Sequence, residues 1–147
     1  MINREEGLIE IYERIKVNRK DMGIVTFKRT PTTPVKNEDL PCIFMIEGVD
    51  NIFDRSSRGT TGYPAKRILE VTLELVTDGD TNIRQLYSDL RRAVFSTIGS
   101  DPVVYDSVIA KNTFINENRT EGPIGYGLPD ILSMSLVLDL VYVDTEF

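Results

Sequence analysis

The 147-residue chain contains no histidine, no tryptophan and a single cysteine. The missing histidine removes the commonest general base, the usual zinc ligand and every Ser–His or Cys–His pair. Only carboxylate-based chemistry passes that filter. With Cys42 alone, no intrachain disulfide can form. Cys42 lies in the apolar run 41–46 and reads as a small buried hydrophobe. Long apolar runs are also missing. The most apolar stretch, 131–143, is broken by Ser133, Ser135 and Asp139 and is too short to span a bilayer. The first residues, MINREEGLIE, lack the apolar centre of a signal peptide. No membrane partner and a cytoplasmic product are therefore expected. Excess positive charge is absent too. The net charge is −6, without the basic footprint of a nucleic-acid-binding domain. Arg84, Arg91 and Arg92 lie close together, and on a helix they read as a solvated face.

What is present suits one globular domain: 41% hydrophobic and 27% charged residues in a length that buries a core without staples. Residues 3–21 predict a helix, with Leu8, Ile11, Tyr12 and Ile15 on one stripe and Gly23 as its stop. Short strands are expected at 24–29 and 42–47, joined by a connector holding Pro31, Pro34 and Pro41. The clearest strand is 66–77. Leu69, Val71, Leu73 and Leu75 alternate there with Glu70, Thr72 and Glu74. Asp80 or Thr81 is placed to cap a second helix running to about residue 97. Strands at 103–110 and 131–143 complete the order α-β-β-β-α-β-β. This is an α+β fold, a mostly antiparallel sheet with both helices packed on one face. The long strands carry more apolar surface than two helices cover, which calls for a partner.

Two polar segments, 50–64 and 112–129, read as long loops. Arg55, Ser56, Ser57 and Arg58 form a tip that either clasps an anion or orders against a partner. Tyr63 and Tyr126, each beside a glycine, are either loop anchors or contact residues. Asn116 and Arg119 join them as candidate interface residues. No catalytic, cofactor or metal site emerges. Glu70 and Glu74 stand roughly 13 Å apart along a strand, too far for a shared proton or a bridging metal. DGDTN at 78–82 opens like a calcium loop but departs from that register and lacks the closing glutamate. GPIGYG at 122–127 leads into a strand, whereas a phosphate loop leads into a helix.

Three runs carry a resemblance: GYPAKRILEVTLELVT (62–77), TNIRQLYSDLRRAVFS (81–96) and SMSLVLDLVYVDTEF (133–147). With the N-terminal helix, their organisation resembles the tail terminator (tail completion) proteins of long-tailed bacteriophages, across nearly the whole chain. That resemblance implies a homo-oligomeric ring, six subunits in the family. The ring would cap the tail tube protein, end its polymerisation and offer a surface to the head–neck connector protein, with DNA passing through unbound. It implies location in the tail–neck region of a virion, assembled in host cytoplasm, and no enzymatic activity. Neck and head-completion proteins share the size and composition. Other readings are a small cytosolic adaptor and a magnesium-dependent hydrolase whose carboxylates converge from several strands.

Overall fold

The computed structural model describes residues 3–30, 36–55, 65–95, 107–110, 113–125 and 131–144. The first element, α1 (Asn3–Met22), buries Leu8, Ile11 and Ile15. It ends in a left-handed turn at Gly23, φ +73°. The Gly23 N–H donates to the Lys20 carbonyl and the Ile24 N–H to the Arg19 carbonyl, each at 3.1 Å. Those bonds satisfy carbonyls that the helix end would leave bare. The short strand β1 (Thr26–Arg29) follows and packs Phe27 against Tyr12 of α1, ring centroids 4.7 Å apart.

A single turn of 3-10 helix (Asn37–Asp39) leads to β2 (Cys42–Arg55), and β3 (Ala65–Asp78) returns beside it. Helix α2 (Ile83–Phe95) then crosses to the helical layer. The chain finishes with β4 (Ser107–Ala110), β5 (Thr113–Gly125) and β6 (Ile131–Asp144). The sheet has six strands in the order β1-β2-β3-β6-β5-β4. Only β1 and β2 run parallel; every other pairing is antiparallel.

The α+β class, the helices on one face and the expected sequence of elements hold, with one addition. Segment 112–129 was expected to be a loop, yet 113–125 form β5. A strand is held by its backbone ladder, so one paired to β6 at the solvent margin needs no apolar alternation. Residues 118–125 are all exposed. The loop expected over 50–64 also starts later, because β2 continues to Arg55. A third correction concerns the cap of α2. Asn82 fills it, its Oδ1 accepting from the Gln85 N–H at 3.2 Å. Asp78 Oδ1 instead gathers the Asp80 N–H, the Thr81 N–H and the Thr81 hydroxyl at 3.1, 2.9 and 2.8 Å. These donors hold the half-buried Asp78 carboxyl below its usual range, the Thr81 hydroxyl most of all. The expected 103–110 strand is seen as β4, its earlier residues lying outside the described ones.

Leu69, Val71, Leu73 and Leu75 of β3 face the helices with Leu136, Leu138, Leu140 and Tyr142 of β6, and all are buried. Register partners share a face, so Leu73 beside Leu136 and Leu69 beside Leu140 form one continuous apolar floor. Helix α1 sits close on that floor. A Cβ added at Gly7 would stand 2.7 Å from Leu140 Cδ1. The β3–β6 ladder runs without interruption. The ladders on either side of it break register, in β2 at Glu47/Asp50 and Ile52/Asp54 and in β5 at Glu117/Arg119 and Glu121/Ile124.

The sheet's other face carries a second, smaller apolar cluster of Leu40, Cys42, Phe44 and Val76. Cys42 is fully buried, and desolvation pushes its thiol up to about 11, as suits an inert core cysteine.

Candidate functional site

The face away from the helices is the larger candidate surface. Beyond the Cys42–Phe44 cluster it mixes charged side chains with the buried Val137 and the half-buried Ile68, Phe114 and Val141. Glu70 and Glu74 of β3 lie on it with Asp139 of β6, and none is fully exposed. Arg119 of β5 reaches across β6 to Glu70 at 3.3 Å and holds Glu121 of its own strand at 2.6 Å. Asn118 donates to Asp139 at 2.9 Å. The Arg119 guanidinium is held in its charged form by Glu121 first and Glu70 second. Its side chain is 46% exposed, so these are solvent-screened bridges that orient the surface more than they stabilise it.

The second cluster joins α1 to the sheet on the helical side. Asp50 accepts from Arg4 Nε at 3.2 Å, Arg67 Nε at 3.0 Å and the Tyr142 hydroxyl at 2.5 Å. Arg4 also reaches Glu47 at 3.0 Å. Arg29 grips Glu5 through two bonds of 2.8 and 3.0 Å, and Glu47 more loosely at 3.4 Å. Arg29 holds the Glu5 carboxyl below its usual range. Burial, then the bond to Asp50, raises the Tyr142 hydroxyl to about 12. A carboxylate with three donors is a structural tie, with most of its roughly four acceptor sites committed. Below α2, Arg91 clasps Glu117 with two bonds of 2.9 Å and Tyr87 bonds Thr120, fastening the helix to β5.

Of the residues expected at an interface, Asn116 and Arg119 lie on the bare face of β5 rather than in a loop. Asn116 is the register partner of Asp139. Arg55 closes β2 opposite Ala65. The structure therefore separates Arg55 from the Asn116–Arg119 pair, at opposite margins of the sheet. Ser56, Ser57, Arg58, Tyr63 and Tyr126 lie outside the described residues. The Asp50 cluster escaped sequence reading because its partners lie 17, 46 and 92 positions away. No local pattern marks such a convergence. Among the described residues, no three His, Cys, Asp or Glu side chains are grouped to hold a metal. No described helix is long and apolar enough to cross a membrane.

No protein-family model matches the chain, and no curated protein matches it in sequence. Among solved structures, the fold is similar to a chain from the virion of a native gene transfer agent particle. The TM-score is 0.53 at 15% identity, covering 91% of each chain. At that identity the likeness is one of fold.

Proposed function

We propose that this chain is a structural assembly subunit of a phage-like virion. Its role is that of a tail terminator: a closed homo-oligomeric ring, six-fold as in the family it resembles, seated on the tail tube. The observation that carries the reading is the fold shared with a virion chain over 91% of both molecules. The sheet supports it. One face is covered by two helices, while the other presents Arg119, Glu70, Glu121 and Asp139 to solvent or to a partner. A ring of this kind works by binding geometry: it covers the growing end of the tube and offers the head connector a new surface. No bond is made or broken, and no reaction is assigned to the chain. The acidic balance of −6 per subunit suits a passage through which DNA moves without being held.

Electron microscopy of particles assembled with and without the chain tests the reading. Loss of the chain is expected to give overlong, headless tails. Tails of normal, uniform length with heads unattached would transfer the chain to the neck, and normal joined particles would end the virion reading.

A further inference from the structure

Helix α1 has an outer face that its own fold leaves without partners. Leu8, Ile11 and Ile15 point into the core, while on the far side Ile9 is 48% and Val17 70% exposed. Around these two stand the half-buried Glu6 and Glu10 and the exposed Glu13, Lys16 and Lys20. Other charges on the helix are tied. Arg4 holds Asp50, Glu5 holds Arg29, Arg14 holds Glu10 and the Val94 carbonyl, and Arg19 donates to the Ile24 and Val25 carbonyls. Glu6, Glu13, Lys16 and Lys20 make no ion pair among the described residues. On this face the signs are also sorted along the helix, with Glu6, Glu10 and Glu13 first and Lys16 and Lys20 after them. The helix dipole favours acids in the first turn and bases in the last, and its effect fades beyond those turns. It accounts for Glu6 and Lys20. It leaves Glu10, Glu13 and Lys16 unexplained, and these put like charges three and four places apart, where they repel.

We propose that this face docks against α1 of a second copy, packed antiparallel about a two-fold axis at Glu13. In such a pair, residues equally far before and after Glu13 stand level. That brings Ile9 to the second copy's Val17, Glu6 to its Lys20 and Glu10 to its Lys16, each contact being made twice. The sorted charges become neighbours of opposite sign, and the two exposed aliphatic side chains cover each other. One contact is unfavourable: Glu13 meets itself at the axis, with Lys16 of each copy about a turn away. Glu5 and Asp21 also stand level, but on the outer flanks of the seam, and Glu5 is already held by Arg29. Sliding one copy by about a turn would set Glu13 beside Lys16 and move Ile9 from Val17 to Lys20, so the apolar pair selects the register.

The joint is isologous, with the same patch on both copies, so it saturates at two chains. The heterologous contact that closes a ring is a different one, and the pairing stands independently of the ring reading. A single helix pair is a small interface of the weak, transient class, so association is expected only at high micromolar concentration. The free chain then pairs off and shields Ile9 and Val17 from water.

The test is Glu13→Cys, because a two-fold axis at that residue sets the position against itself. Packed helix axes lie about 8–10 Å apart and Cα atoms about 2.3 Å from each axis, which leaves the two facing Cα atoms within disulfide reach. Cys42 is buried and does not compete. Mild oxidation of the full chain is expected to give a covalent dimer, and nothing larger, on a denaturing gel. Ile9→Cys alone should stay uncrosslinked, because its two copies stand about 12 Å apart along the pair. Ile9→Cys combined with Val17→Cys should crosslink. By sedimentation equilibrium, Lys20→Glu is expected to weaken dimerisation about three- to tenfold with the circular dichroism spectrum kept. Adding Glu6→Lys should restore it, and Glu13→Gln should tighten the wild-type pair by a similar factor. Crosslinking of Ile9→Cys alone would overturn the antiparallel pairing, as would association unmoved by Lys20→Glu. So would a Glu13→Cys chain that stays uncrosslinked where wild type is dimeric, or a wild type that is monomeric up to millimolar concentration.

Discussion

The helix-covered face of the sheet and its bare face are made by the same strands, residue by residue in alternation, yet obey different rules. On the covered side Leu69, Val71, Leu73 and Leu75 meet Leu136, Leu138 and Leu140 without one charge along the middle of the floor. Among the described residues, acidic groups enter at its margins, each tied: Asp50 to Arg4, Arg67 and Tyr142, Glu47 to Arg4 and Arg29, and Glu117 to Arg91. On the bare side apolar residues gather near Phe44, and the remainder mixes the apolar Ile68, Phe114, Val137 and Val141 with partly exposed ion pairs. The difference teaches which face carries stability. Burial of apolar area contributes about 25 cal/mol per Å², whereas an exposed bridge contributes about 0–1 kcal/mol.

The largest expected effect breaks the covered face. Leu73→Asp or Leu136→Asp places an unpaired carboxylate in the floor at a cost of several kcal/mol, against a total stability of roughly 5–15 kcal/mol. Both variants are expected to be unfolded by circular dichroism at about 25 °C. Wild-type melting of both would show the floor misassigned. Asp50→Ala comes next. It strips the acceptor from two arginines and a tyrosine in a half-buried site, and is expected to cost about 2–3 kcal/mol in urea titration. An unchanged midpoint would mean solvent replaces the carboxylate fully.

Tyr142→Phe isolates one of those three bonds, at an expected cost of about 1.5 kcal/mol near neutral pH. It also carries a pH signature. The folded hydroxyl is raised to about 12, while an unfolded tyrosine titrates near pH ~10. The stabilisation is therefore complete below about pH 10 and is lost as pH rises through about 12. Denaturation curves from about pH 9 to about pH 12 should show wild type losing more stability than Tyr142→Phe; parallel losses would remove Tyr142 as the cause. Arg119→Ala, on the bare face, is expected to shift stability by less than about 0.5 kcal/mol. A loss above about 1.5 kcal/mol would show that the mesh bears part of the fold.

The two faces were also unequally legible. Strands β3 and β6 could be read from their alternation because one side of each is buried against helices. Helix α1 could be read from the spacing of Leu8, Ile11 and Ile15, and its end from Gly23. Strand β5 could not, because from Asn118 on its residues are exposed and its order comes mainly from backbone pairing with β6. Its one local hint is the Thr113–Phe114–Ile115 alternation, too short to outweigh the Gly and Pro that follow. The same solvated segment puts Asn116 and Arg119 on a rigid strand where a loop was expected. Contact residues were thus partly readable by type, while their placement depended on pairings invisible to local sequence.

The irregularities of β2 and β5 bear on solubility. Where these strands pair with β3 and β6, every break in register falls in 47–54 of β2 or 117–124 of β5. Those are the halves without a second neighbour among the described residues, while the interior β3–β6 ladder is regular. A flat, regular, apolar strand edge is a template for any extended peptide and leads to aggregation. A bulge bends and twists such an edge, so a generic strand cannot zip along it. The chain thus exposes Val49, Ile52 and Ile124 where runaway stacking is sterically discouraged. Straightening β2 by deleting one residue from the Glu47–Asp50 bulge would turn a selective margin into an adhesive one.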